Sequence, residues 1–164
     1  MPKVELRHQK VFDAKRFFEI LNNPNFTYFS AKPKTIEEEK VFIRKNFKKQ
    51  CANSEHNFTI LFDGDIVGGC GFKIDLHRPH IGEIGYFVDE AFWGRGIAPA
   101  AVRLLEVIGF GKLGLGRIEI RMNPLNKASE RVAIKSGYLK EGVMKKARKS
   151  GDSYTDEILY AKII

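Results

Sequence analysis

Ile84-Gly85-Tyr86-Phe87-Val88, then Asp89-Glu90-Ala91-Phe92-Trp93, then Gly94-Arg95-Gly96-Ile97-Ala98 is the stretch whose reading decides the fold. It reads as a strand, a short loop, a glycine turn and the start of a helix. A helix N-terminus carries unpaired backbone N–H groups and a partial positive charge, which suits a pyrophosphate. Gly94 and Gly96 let the backbone approach such an anion closely, and Arg95 adds a charge beside it. A bare Gly-x-Gly at a helix start is as readily a structural turn, so the neighbouring residues must decide. A dinucleotide fingerprint would need glycine at position 99, where Pro99 stands. A P-loop would need Gly-Lys-Ser/Thr, which the chain lacks. Both nucleotide motifs are excluded.

Outward from this stretch the periodicities alternate between two and 3.6. Residues 3–8 alternate and predict a first strand. Asp13 is placed to cap a helix with Ala14, Phe17, Phe18 and Leu21 on one face, stopped at Asn22-Asn23-Pro24. Thr35-Ile36-Glu37-Glu38 opens a second helix with a capping box, and Lys45 to Lys49 form its basic end. The spacer from 24 to 34 is loop-like but carries Phe26, Tyr28 and Phe29, residues suited to lining a pocket. Strands are predicted at 57–62 and 66–75 around an Asp63-Gly64-Asp65 turn, and again at 81–88. A long helix covers 95–112, with Ala98, Val102, Leu105 and Ile108 or Gly109 on one face. Arg117 to Met122 alternates strictly, turning Ile118, Ile120 and Met122 inward. A helix over 126–136 ends at Gly137, and strands near 138–148 and 153–163 are joined through Ser150-Gly151-Asp152. This order, β-α-α-β-β-β-α-β-α-β-β, describes an α/β (mixed α+β) protein: a mixed sheet flanked by helices.

Composition narrows the setting. A chain of 164 residues with no repeat or Pro/Ser linker reads as one domain over 1–164. Thirteen phenylalanines point to a partly aromatic core. Cys51 and Cys70 form neither a disulfide framework nor a metal-ligand spacing, and Cys70 within Gly68-Gly69-Cys70-Gly71 reads as a buried, reduced thiol. The N-terminus lacks the apolar run of a signal peptide, and no stretch approaches the roughly 20 apolar residues of a membrane span. The expected setting is cytoplasmic. His77 and His80 flank Pro79 without a third ligand, so a plain loop is expected there and no metal. A net charge of +8 is compatible with a solvated basic face or with attraction to an anionic cofactor. No RNA-binding or helix-turn-helix signature accompanies it, which disfavours nucleic acid.

Two motifs in register carry a family resemblance. Glu83-Ile84-Gly85-Tyr86 with Phe92-Trp93-Gly94-Arg95-Gly96-Ile97-Ala98 resembles the acetyl-CoA motif of the GNAT N-acetyltransferases. Asn126-Lys127-Ala128-Ser129 with Lys135-Ser136-Gly137-Tyr138 is similar to the branch containing the ribosomal-protein N-acetyltransferases, as are Glu141-Gly142 and Asp156. Trp93 stands where the wider superfamily has Gln or Arg, and an aromatic there is usual in this branch. The resemblance implies the acyl-CoA N-acyltransferase fold: a mostly antiparallel seven-stranded sheet, splayed between two parallel central strands and flanked by about four helices.

It also implies acetyl transfer from acetyl-CoA, a cosubstrate, to an amine by direct attack on the thioester. The backbone of Phe87 and Val88 would hold the pantetheine arm, and the N–H groups of Trp93, Gly94, Arg95, Gly96, Ile97 and Ala98 the pyrophosphate. A backbone N–H near Val88 would stabilise the oxyanion. Glu83 is the candidate for moving the amine's proton, through water. The tyrosine that many members carry seven residues after the asparagine is replaced by Ala133, and Ser129 is the candidate substitute on the same helical face as Asn126. Asn126 is equally a good helix N-cap. The implied acceptor is a protein N-terminus or a small amine, and a homodimer is compatible with the branch. Net positive charge argues mildly against a polybasic acceptor. The competing reading is a CoA-binding or basic nucleic-acid-binding module without catalysis.

Overall fold

The computed structural model describes residues 3–29 and 32–164. Seven strands form one sheet in the order β1-β2-β3-β4-β5-β7-β6. They are β1 (Val4–His8), β2 (Glu55–Phe62), β3 (Asp65–Ile74), β4 (Ile81–Val88), β5 (Arg117–Met122), β6 (Leu139–Ser150) and β7 (Ser153–Ile163). Every neighbouring pair is antiparallel except β4 and β5, which are parallel. The helices are α1 (Ala14–Leu21), α2 (Ile36–Arg44), α3 (Asn46–Cys51), α4 (Ile97–Glu106) and α5 (Lys127–Lys135). The expected sheet and its parallel pair are present. The single helix expected after Thr35 is broken in two at Lys45. Among the described residues no helix is long and apolar enough to cross a membrane.

The main core lies between the sheet and α4. Ile97, Ala101, Val102 and Leu105 pack on Phe58, Ile60, Phe72, Ile118 and Ile120. Val102, Leu105 and Gly109 of the face read in the sequence are buried, Ile97 and Ala101 join them, and Ala98 is partly buried against this core and also lines a cavity. Val107–Lys112 continues α4 as a π-helical turn. Gly109 sits in that turn because a Cβ there would come within 2.9 Å of both Phe72 and Ile118 side chains. The opposite face of the sheet is covered by α1 and α2, where Ala14, Phe17 and Ile43 pack against Ile66 and Phe87.

Thr35 caps α2 as read, its hydroxyl accepting the Glu38 N–H at 3.1 Å. Asp13 does not cap α1. Its carboxylate, fully buried, instead takes two 2.7 Å hydrogen bonds from the Arg7 guanidinium, one of 2.6 Å from the Thr59 hydroxyl and one of 2.9 Å from the Lys10 N–H. Tertiary partners outcompete the helix end because a buried carboxylate needs a full set of donors. The cluster ties β1 and β2 to the start of α1. Burial alone would raise the Asp13 pKa, but the Arg7, Thr59 and Lys10 hydrogen bonds outweigh it and hold the carboxyl below its ordinary value.

Removing one partner of such a pair strands the other. Asp13→Asn is expected to cost about 3–5 kcal/mol in urea unfolding. Because the folded pKa is depressed, the stabilisation is complete above the unfolded carboxylate value near ~3.9 and is lost as pH falls through the lower folded value. The variant's stability curve should therefore converge on the wild type only at strongly acidic pH.

Candidate active site

The parallel pairing of β4 and β5 covers three registers, Ile81↔Arg117, Gly82↔Ile118 and Glu83↔Glu119, and then stops. Both strands continue, so the sheet opens into a V. The phase of β4 follows from its other neighbour. The Asp89 N–H donates to the Val67 carbonyl at 2.7 Å, in register with Gly69↔Phe87 and Gly71↔Gly85. Antiparallel bonding alternates along a strand, so Phe87 and Gly85 spend their peptide groups on β3. Ile84, Tyr86 and Val88 turn theirs toward the V. Of the Phe87-Val88 pair read in the sequence, Val88 thus offers backbone to the cleft and Phe87 offers its ring. Gly68 permits this approach of β3 and β4, since a Cβ there would lie 2.0 Å from the Phe87 carbonyl oxygen.

Side chains alternate the other way. Glu83, Gly85 and Phe87 face the α1–α2 side, while Ile84 and Val88 join the α4 core. Two cavities result, one on each side of the V, and Phe29, Tyr86 and Phe87 line both.

The first cavity, about 680 Å³, runs between the β4 end, the glycine turn and α5. Gly94 and Gly96 have φ of +77° and +74°, the left-handed region that glycine tolerates. Neither would place a Cβ within 4 Å of any atom, so the turn faces open space. Gly96 is the N-cap of α4, and the first-turn N–H groups have no partner within the helix. Pro99, having no N–H, loses nothing there. Trp93, Gly94, Gly96 and Ala98 line the cavity. Ile97 does not: it is in the core. Arg95 does not either, its guanidinium lying 5.2 Å over the Phe92 ring. The Trp93 indole N–H donates to the Val88 carbonyl at 2.7 Å, and its ring packs on Phe26. This fastens the glycine turn to the end of β4.

From α5, Lys127, Arg131 and Lys135 line the same cavity, which has no acidic lining residue. Their four-residue spacing puts them on one helical stripe, a signal present in the sequence and passed over there. The wall is therefore built for an anion. Residues 25–29 close it, held in place because the side chains of Asn23 and Asn25 donate to the Glu90 carboxylate at 2.6 and 2.7 Å. Ser30 and Ala31 of this loop lie outside the described residues. The last hairpin, β6 and β7, lines neither cavity.

Asn126 is the N-cap of α5, its Oδ1 accepting the Ser129 N–H at 3.2 Å. It also lines the cavity, with no partner on Nδ2 among the described residues. Ser129 is half-buried at the junction, and its hydroxyl lies 3.0 Å from the Tyr86 hydroxyl. Sequence reasoning missed Tyr86, because only the splay brings the middle of β4 against the first turn of α5. Burial pushes the Tyr86 pKa up to about 12 against the opposing hydrogen bond with Ser129. The pair holds its protons at neutral pH. Ala133 is fully buried in the core and offers the site nothing.

The second cavity, about 570 Å³, lies between β3, β4 and α2. Glu83 lines it. Burial raises its pKa, Arg121 opposes this from 3.8 Å, and the negative charges of Glu157 and Glu119 add to the rise. Arg121 is mainly committed elsewhere, to Glu119 at 2.8 Å. Glu83 is thus a carboxylate with a loosely held counter-charge, its affinity for a proton increased. Cys70 also lines this cavity, as a buried free thiol whose pKa burial raises. It stays protonated and unreactive. No group of three or more His, Cys, Asp or Glu among the described residues is placed to hold a metal ion.

The V between two parallel strands thus has the glycine turn and helix start on one side and the Glu83 carboxylate on the other. Residues 3–139 match the acetyltransferase (GNAT) domain. The chain belongs to the GNAT family and is an N-acetyltransferase. It is 30% identical over 146 residues to the ribosomal-protein-serine acetyltransferase of Escherichia coli, covering 88% of this chain and 77% of that one. It is 26% identical over 163 residues to the uncharacterized N-acetyltransferase p20 of Bacillus licheniformis, covering 97% and 92%. Among solved structures it resembles the ribosomal-protein-S5-alanine acetyltransferase of Vibrio fischeri, with a TM-score of 0.85, 25% identity and coverage of 98% and 92%. The fold is also that of the microcin C7 self-immunity acetyltransferase, solved with acetyl-CoA and AMP, at a TM-score of 0.88, 24% identity and coverage of 99% and 93%.

The Trp93 clasp can be tested directly. Trp93→Phe keeps the ring but removes the indole N–H from the buried Val88 carbonyl. A loss of about 1–2 kcal/mol in denaturant unfolding is expected, and hydrogen exchange should quicken in residues 89–96.

Proposed function

We propose that the protein transfers an acetyl group from acetyl-CoA to a primary amine, a small amine or a protein N-terminus, by direct attack across the β4–β5 splay. The observation that carries this reading is the junction of the two cavities at Tyr86 and Phe87, where an anionic donor and an amine acceptor meet from opposite sides. The donor supplies an acetyl thioester. The first-turn N–H groups of α4 and the α5 stripe of Lys127, Arg131 and Lys135 suit its phosphates. The Tyr86 peptide and the Val88 N–H, left free by the splay, suit the amides of an extended arm, as an added strand would be bound.

The balance of the reaction assigns the proton work. A C–N bond forms, the C–S bond breaks, one proton leaves the amine and one arrives at sulfur. Glu83 accepts the first, through water, and burial increases its affinity for that proton. The Val88 N–H stands where charge develops on the carbonyl oxygen. The Ser129 hydroxyl gives a proton to sulfur and takes one from Tyr86, and solvent water reprotonates Tyr86 as Glu83 releases the amine's proton to solvent. Asn126 holds Ser129 in place through the cap and presents its Nδ2 to the donor's arm.

The test is release of free thiol from acetyl-CoA over a panel of amines and N-terminal peptides. Glu83→Gln should lower kcat about 10²-fold or more and remove the acid limb of the pH profile that Glu83 creates, while Ser129→Ala should lower kcat with little change in acetyl-CoA affinity. An unchanged chemical step in both variants would remove them from the mechanism. Gly96→Val combines a disfavoured left-handed β-branched residue with a side chain in the open turn. It should weaken acetyl-CoA binding about tenfold or more by calorimetry, and unchanged affinity would refute the pyrophosphate assignment.

A further inference from the structure

The second cavity contains a carboxylate that the proposed chemistry does not use. Glu39, in the first half of α2, is only 8% exposed, lines the cavity, and has no hydrogen-bond or ion-pair partner among the described residues. That is unusual. A buried charge is costly unless paired, and burial without a partner raises the Glu39 pKa. Its neighbours in the wall are satisfied: Glu38 accepts the Lys34 N–H at 2.7 Å, and Glu55 pairs with Lys49 at 2.8 Å. Reading α2 by its helical spacing, Glu39 lies one turn before Ile43, on the face turned toward the sheet. It cannot swing to solvent without leaving that face.

The charge pattern agrees. The cavity is lined by four carboxylates, Glu38, Glu39, Glu55 and Glu83, against two lysines, Lys32 and Lys73. The cavity across the V carries three cations and no carboxylate. Glu55 and Glu83 have Lys49 and Arg121 beside them, whereas Glu39 has no cation paired with it among the described residues. Local field in a pocket with apolar walls (Leu21, Phe29, Phe42) outweighs the sign of the whole molecule. The mild expectation against a polybasic acceptor, drawn from net charge alone, loses its force here.

Glu83 and Glu39 line the same cavity from different elements, β4 and α2, so an acceptor held at Glu83 can present a second group to Glu39. We propose that the acceptor carries two ammonium groups: one, toward Glu83, is acetylated, and the other is bound by Glu39. The substrate class is a diamine or an amine with a second cationic centre a few bonds away. This rests on the acetyl-transfer reading above and deepens it, because it assigns the acceptor's second group and the residue that reads it. An unpaired carboxylate in the free protein is then a binding site kept ready at the expense of stability.

Linear α,ω-diamines of three to six carbons, each compared with the n-alkylamine of equal length, test it. With wild type the best diamine should exceed its monoamine about thirty-fold in kcat/KM, a value typical of one charge-assisted hydrogen bond, and mostly through KM. In Glu39→Gln the ratio should fall toward unity, and Glu39→Asp should retain part of it. Glu39→Gln should melt at the same temperature as wild type or higher at neutral pH, because the buried carboxyl has no partner to lose among the described residues. The same diamine should bind wild type by calorimetry in the presence of CoA, and this binding should be lost in Glu39→Gln. The proposal is overturned if the preference persists in Glu39→Gln, if monoamines match diamines in wild type, or if a neutral N-terminal peptide surpasses every diamine. Failure of the underlying reading looks different: acetyl-CoA would bind and no amine of any class would release thiol. In that case Glu39-dependent diamine binding still supports the pocket, and its absence overturns it.

Discussion

Everything in the site depends on the early end of one hydrogen-bonded ladder. β4 and β5 pair over three registers and separate, and the peptide groups of Tyr86 and Val88 are left facing a gap instead of a neighbour. In a sheet this is a liability, since unpaired backbone polar groups in a protein interior cost free energy. Here the exposure is confined to a few residues. The Trp93 indole satisfies the Val88 carbonyl, and the remaining groups are presented to a cavity. The same gap brings the two cavities to opposite sides of Tyr86 and Phe87, lets Tyr86 meet Ser129, and sets Glu83 on the far side.

The elements around the gap are fastened by polar contacts that leave the site itself free. Arg16 of α1 pairs with Asp89 just past β4, and Asn23 and Asn25 hold Glu90. Arg7, Asp13 and Thr59 lock β1, β2 and the start of α1. These anchors let a strand end, a glycine turn and an aromatic loop keep their relative positions without a packed core between them. Rigid supports around an open site are what preorganised binding requires.

Charge is partitioned across the same gap. The protein has a net charge of +8, and three cations of α5 face one cavity while four carboxylates line the other. In the proposed reaction, reactants of opposite charge would enter from opposite faces of the sheet and meet at the V. Glu83 sits on the acidic side with its proton affinity increased by burial, and the Tyr86–Ser129 pair sits at the crossing with its protons retained.

Much of this was legible in the residues themselves. The glycine turn, the alternation of β5 and the caps at Thr35 and Asn126 follow from local sterics and hydrogen bonding, which short stretches of sequence express directly. Glycine at 94 and 96 was readable because only a left-handed turn needs it, and the lysine and arginine stripe of α5 because a helix has a fixed period. What the sequence could not decide were contacts between distant segments. Asp13 looked like a cap and is a buried ion-pair centre, because Arg7 and Thr59 reach it only once β1 and β2 are paired. Ala133 marked a missing hydroxyl, but the hydroxyl that meets Ser129 comes from Tyr86, forty-three residues earlier, through the splay. Glu39 follows Glu37 and Glu38 in the first turn of α2, and nothing local in the sequence sets it apart. Only the packing of α2 against the sheet removes it from water and leaves it facing a cavity without a partner.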